Sequence, residues 1–299
     1  MTAYNQTRRA LWLSLLMVVI ASTAAVATRF ASARVSIEAI VTVQYLVCLL
    51  LCLPITLRPG LANLKTGRMG LHFFRGAAGV LGFYLFYGAL AHIPMVDAVL
   101  LRQSAPLTVP LVAYVWSRER IAASAWGPLL IGFAGILMIL RPGPEGLNWW
   151  HAGGFVSALC LSISMVATHK LASTEPASRI LLYYFLLSLA CVAPFSASDY
   201  DKLHWLDWAA MLYVGVAIYI TLRLYTRAYA IAPAHAIAPI NYLAVVLGAF
   251  WGWLIWGQVP DVWSVSGSAL VIVGGLLTVY LARGPVGTGG HTATGRGNP

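Results

Sequence analysis

"VATRFAS", residues 26–32, returns as "VATHKLAS", residues 166–173, 140 positions later. Each copy closes a long apolar run. The echo continues in the same order along the chain. Pro54 matches Pro194 at the same offset of 140, and "ALAHIP" (89–94) matches "AYAIAP" (228–233) at 139. "WGPLLIGFAGIL" (126–137) matches "SGSALVIVGGLL" (266–277) at 140. Four echoes at nearly one offset read as a duplicated unit, and the duplication decides the fold.

What the unit is made of follows from composition. Hydrophobic residues make up 60% of the chain and charged residues 9%, against about a quarter charged in a soluble domain. Mean hydropathy is +0.79. The solvent of most of this chain is lipid. A spanning helix needs roughly 20 apolar residues. That ruler gives ten spans, at 9–31, 37–57, 69–91, 94–116, 123–141, 149–171, 178–197, 206–230, 234–256 and 262–282. Each repeat then holds five. An odd number forces the second repeat to enter the bilayer from the opposite side. The expected fold is an all-α integral membrane protein of ten transmembrane helices, built as two five-helix inverted-topology repeats, 9–141 and 149–282. Such repeats mark secondary transporters with a site at the repeat interface. The tail 283–299 is polar and Gly-rich and is expected to be disordered. The first span follows Arg8 and Arg9 as a signal peptide would. Its counterpart at 149–171 argues that it is kept.

The net charge of +10 does not point to nucleic acid, because the basic residues stand singly at span ends rather than on one face. Their placement orients the chain instead. With the N-terminus cytoplasmic, Arg8, Arg9, Arg58, Lys65 and Arg68 are among the many inside, while Arg29, Arg34, Arg141 and Lys202 fall outside. The expected location is the cell inner membrane, with both termini cytoplasmic.

Cys48, Cys52, Cys160 and Cys191 all lie in apolar runs and read as small packing residues. The histidines are scattered near span ends, so no metal is expected. No P-loop occurs, so ATP is not a direct fuel through one. No H-E-x-x-H or G-x-S-x-G occurs either, and an intramembrane enzyme would need a nucleophile and base at matching depth. No enzyme activity and no cofactor are expected. The expected partners are a small-molecule substrate and the lipid bilayer, with the chain a monomer or weak homodimer. Asp and Glu all fall at or near span ends. Proton-coupled carriers usually place one mid-membrane, so facilitated export is expected.

"FFRGAAGVLGFYLFYGALAHIPMVDAVLLRQSAPLTVPLVAYVWSRERIAASAWGPLLIGFAGILMILRPG" (73–143) resembles the EamA-type domain of the drug/metabolite transporter superfamily. The marks are the aromatic "YLFYGAL" before the "IP" turn, Pro106 mid-span, Glu119 closing the fourth span, and Gly132 with Gly135 in the fifth. In the second half Gln258 stands where a glutamate is usual and Val245 where the proline is usual, which leaves open whether the ninth span bends as the fourth does. The resemblance covers about 10–282. It implies a ten-helix exporter of small metabolites by alternating access, most similar to the amino-acid exporter branch, with aromatic or neutral amino acids as cargo. A carrier of the same fold for nucleotide-sugars, purines or drugs is the alternative.

The candidate site begins at "LLRQSAPLTVPLV" (100–112), which places a charge and two helix breakers inside a span. An intramembrane ionisable residue is a functional hypothesis by default. Arg102 lies about eight residues into its span, ~12 Å at the helical rise. It either meets a substrate carboxylate with its planar fork, pairs structurally with Glu38 or Asp97, or snorkels. At the offset of 139, Arg102 corresponds to Asn241 and Gln103 to Tyr242. All four are candidates for one cavity on the pseudo-two-fold axis. Tyr84, Tyr87 and Tyr219 offer aromatic faces with a polar tip, and Ser22 and Ser164 offer hydroxyls at related depths. Pro106 and Pro110 are the candidate hinge. Gly248 and Gly252 form a GxxxG pair read as a packing surface.

Overall fold

The computed structural model describes residues 3–58, 64–118, 126–140, 148–196, 200, 203–231 and 240–281. The tail 283–299, Glu119, Arg141, Lys202 and the first residues of the ninth span lie outside them. Among the described residues the chain is entirely helical. The elements are α1 (Ala3–Ala31), α2 (Ile37–Leu57), α3 (Met69–His92), α4 (Met95–Gln103), α5 (Ala105–Ser117), α6 (Trp126–Leu140), α7 (Trp149–Ala172), α8 (Ala177–Val192), α9 (Trp205–Ile231), α10 (Leu243–Trp256) and α11 (Val262–Leu281). Among the described residues seven helices are long and apolar enough to cross a membrane, one of them the α4–α5 pair, Met95–Trp116. Three shorter apolar helices fall at Trp126–Ile139, Leu243–Trp256 and Val262–Leu277.

Local chemistry sets the ends. Ser36 accepts the Ala39 N–H at 3.3 Å to cap α2, and Asn148 accepts the Trp150 N–H at 2.9 Å to cap α7. Arg118 (φ 58°) and Gly257 (φ 63°) turn the chain left-handed after α5 and α10. They stand 139 apart. Glycine takes that conformation without penalty, whereas a Cβ there costs roughly 1–2 kcal/mol.

The halves are interleaved. The helix α3 packs along α7, and α1 along α9. The helix α2 meets α8 and α9, while α3 also meets α8. The helix α4 lies on α10, and α6 crosses α11. That last crossing is backbone against backbone. A Cβ at Gly135 would lie 2.6 Å from the Gly267 carbonyl, and one at Gly274 would lie 2.6 Å from the Gly132 nitrogen. Gly248 sits against Val99, and Gly252 against Met95.

The fourth span is broken at Ser104. Pro106 has no N–H, so the Arg102 carbonyl loses its helical partner. The Leu107 N–H turns to the Ser104 carbonyl at 2.9 Å. The same break occurs at Tyr242, where the Val245 N–H turns to the Tyr242 carbonyl at 3.0 Å. The second break forms with Val245 at the place where the first has Pro106, so the ninth span turns there as the fourth does.

The two ends of the bundle are closed differently. At the end holding Arg58 and Met69, His72 Nε2 donates to buried Glu175 at 2.7 Å, and the Thr66 hydroxyl donates to the same carboxylate. At the other end Arg34 approaches Asp207 at 3.9 Å, with the Arg34 side chain 66% exposed. Exposed pairs contribute little. Burial pushes the Glu175 carboxyl up, but Thr66, His72 and Arg179 outweigh it, so the group titrates below the ordinary carboxylate range. A depressed carboxyl contributes stability above its unfolded value, about 4.3, and loses it as pH falls through the lower folded value. Glu175→Gln is therefore expected to lower the melting temperature at pH 7 and to flatten its fall below about pH 4. Thermal unfolding from pH 7 to pH 3 checks this.

Candidate functional site

Arg102 is placed by the last turn of α4, just before the break. Its guanidinium carbon lies 4.6 Å from the Phe83 ring centre and 4.7 Å from that of Phe86. One of its nitrogens donates to the Gly82 carbonyl at 3.2 Å. All three contacts come from α3. Beside them, the Tyr87 hydroxyl donates to Oε1 of Gln44 on α2, and Tyr87 also borders Thr28 of the opening echo.

A second arginine closes the far end of the same wall. The Arg75 guanidinium lies 4.1 Å over the Tyr184 ring, and its Nε donates to Thr168 at 2.6 Å. The Tyr184 hydroxyl meets the Tyr45 hydroxyl at 3.1 Å. Tyr45 in turn stands edge-on to Phe83, with centres 6.2 Å apart at 89°. Arg102, Phe83, Tyr45, Tyr184 and Arg75 thus form one continuous cation–aromatic ladder.

The carboxylates are engaged elsewhere. Asp97 faces His151 at 3.7 Å, Glu38 lies beside Tyr84, and Glu175 is held by His72. Among the described residues no acid pairs with Arg102 or Arg75, so the alternative of a structural pair between Arg102 and Glu38 or Asp97 is not found. A cation out of water without a counter-ion is costly. Here ring faces and a backbone carbonyl satisfy it only in part. The Nε2 of fully buried Gln44 also has no hydrogen-bond partner among the described residues. The ladder therefore offers a guanidinium fork and an amide donor next to edge-on and tilted rings. That combination fits a guest with an anionic head and an aromatic or apolar body.

The other candidates divide. Gln103 Nε2 donates to the Asn241 carbonyl at 2.7 Å, and that carbonyl sits where the second break frees it. Gln103 and Asn241 therefore clasp the two breaks together. Tyr242 lies apart from the ladder, with its hydroxyl buried against Gly275 of α11. Tyr219 lies apart from it too, and its hydroxyl accepts from Arg223 at 3.1 Å in a groove between α2 and α9. Tyr84 is half-buried towards Glu38. Ser22 bonds its own backbone at Val19, 2.8 Å, and accepts from Trp251 at 3.2 Å. Ser164 is half-buried, and its carbonyl accepts from Thr168 at 2.6 Å. Pro106 produces the break beside Arg102, while Pro110 stays inside α5.

Gln44, Tyr45 and Tyr184 are absent from the sequence-based candidates. A signal for two of them existed, since Tyr45 and Tyr184 stand 139 apart, the repeat offset. Gln44 is an amide within an otherwise apolar span.

The pattern of the EamA-like transporter family matches the chain twice, over residues 8–141 and 148–280. A pseudopaline exporter of Pseudomonas aeruginosa is 28% identical over 71% of this chain and 76% of its own. A riboflavin transporter of Brucella anthropi is 27% identical over 88% and 94%. An S-adenosylmethionine uptake transporter of Rickettsia bellii is 23% identical over 76% and 78%. One solved crystal structure superposes with a TM-score of 0.61, covering 92% of this chain and 97% of its own at 19% identity.

Proposed function

The chain belongs to the EamA-like transporter family, and from that premise we propose that it exports amino acids with aromatic or other apolar side chains by alternating access. A multi-pass membrane transporter of small molecules is the shared ground. The finer reading rests on one observation: Arg102, with no acid partner among the described residues, stands against Phe83 and Phe86 at a broken span. The cargo carboxylate takes the Arg102 fork, Gln44 donates to it, and the side chain stacks on the rings.

The route follows from the proposed ten spans in two inverted repeats. Helix packing supports that architecture, because exchanging the halves turns the α3–α7 pairing into α9–α1 and α3–α8 into α9–α2. Equivalent or near-equivalent positions also touch, at Tyr45–Tyr184 and Gln103–Asn241. Both contacts belong near a pseudo-two-fold axis, where a site is reached from either side. The unequal closures at the two ends fit one alternate state, sealed at Glu175–His72. With the N-terminus cytoplasmic in the inner membrane, the sealed end is the inner one.

Proteoliposomes loaded with labelled phenylalanine, tryptophan, riboflavin or a nucleoside test the cargo. Phenylalanine and tryptophan are expected to equilibrate several-fold faster than in empty vesicles, and their methyl esters at the empty-vesicle rate. Equal movement of the esters would remove the carboxylate from the recognition.

A further inference from the structure

Away from the ladder, α2 and α9 leave a groove of about 410 Å³, lined by Leu51, Ile55, Tyr219, Ile220, Arg223, Leu224 and Arg227. We propose that this groove holds the headgroup phosphate of an anionic phospholipid on Arg223 and Arg227, with an acyl chain laid along α2 and α9. Arg223 and Arg227 are one helical turn apart and share a face. The Tyr219 hydroxyl accepts from Arg223 at 3.1 Å and holds the guanidinium in place. Among the described residues no acid lines the groove. Its two charges therefore await an anion.

The walls say which kind of anion. Leu51, Ile55 and Ile220 are each more than a third exposed, and the exposed surface continues along the same helices through Leu50, Leu46 and Val216. The floor is closed, with Val47 against Gly215. The charges sit about 6 and 12 Å from the end of α9 at Ile231 by helical rise, within snorkelling reach of a headgroup layer. The apolar strip runs from them toward the middle of the spans. A free anion uses only the charges, whereas a phospholipid uses the strip as well. Basic grooves between spanning helices suit such headgroups.

The test compares the purified full chain in neutral detergent with added phosphatidylglycerol, phosphatidylcholine or inorganic phosphate. Phosphatidylglycerol is expected to raise the melting temperature by several degrees, and the other two not to. Arg223→Gln/Arg227→Gln should lose that shift. Arg58→Gln/Lys65→Gln removes the same charge from exposed positions at the same end and should keep it. Leu51→Trp fills the strip without touching a charge, and should lose the shift even if the double arginine variant does not fold. A full shift with phosphate alone, or with phosphatidylcholine, overturns the proposal. So does an undiminished shift in Leu51→Trp.

Discussion

Arg102→Gln is expected to reduce cargo equilibration in proteoliposomes by about 100-fold or more while the protein stays folded. Removing one partner of a desolvated charge pair costs about 2–5 kcal/mol, which is roughly 30-fold to several-thousand-fold at 1.4 kcal/mol per decade. The fold itself should not suffer. Arg102 has no acid partner among the described residues, and its contacts are two ring faces and the Gly82 carbonyl. Replacing a poorly compensated charge by a neutral amide leaves the melting temperature unchanged or raises it, as at functional sites that trade stability for activity. Arg102→Lys keeps the charge and loses the planar fork, so it should fall between the two. Thermal unfolding run beside the transport assay separates the readings. Wild-type transport by Arg102→Gln removes this residue from the site, and a collapse of stability makes it structural.

The second large effect lies far from the ladder. Gly135→Leu is expected to cost about 3 kcal/mol, the upper end for overpacking, and to lower the melting temperature by roughly 10 °C. The reason is the α6–α11 crossing. A Cβ at 135 meets the Gly267 carbonyl at 2.6 Å and the Val271 nitrogen at 2.9 Å. Backbone atoms cannot rotate away as a side chain does, so the helices must separate along their length. Close approach through small residues is what holds helices together in lipid, where no hydrophobic force acts between them. Gly127 on the same helix has nothing among the described residues within 4 Å of its Cβ position, so Gly127→Leu should be silent. Helix propensity favours leucine over glycine at both positions, so an equal loss at Gly127 would mean that the α6–α11 crossing does not set the effect.

The sequence made the solvent legible, because few charges in a 60% hydrophobic chain leave a water-soluble core no surface to show. It made the duplication legible through residues that recur at one offset. It also located Arg102, since a charge inside an apolar span stands out without any knowledge of its neighbours. The break at Pro106 was readable for the same reason, because the missing N–H is a property of one residue.

The break at Tyr242 was not readable. It has Val245 in the place of Pro106, and its freed carbonyl at Asn241 is met by Gln103 from a distant part of the chain. The same holds for Tyr45 and Tyr184, which are ordinary apolar-span tyrosines until their hydroxyls meet. Tyr242 and Tyr219 show the converse. Both had the right residue type and depth, yet one turns its hydroxyl to Gly275 and the other to Arg223. Periodicity and offset fix which helix a residue is on and how deep it lies. The rotation of each helix, and so the direction of every side chain, is fixed by packing against partners far away in sequence, such as glycine against glycine at α6 and α11. The sequence therefore determined the membrane, the repeat and the arginine, and the tertiary structure decided what the arginine faces.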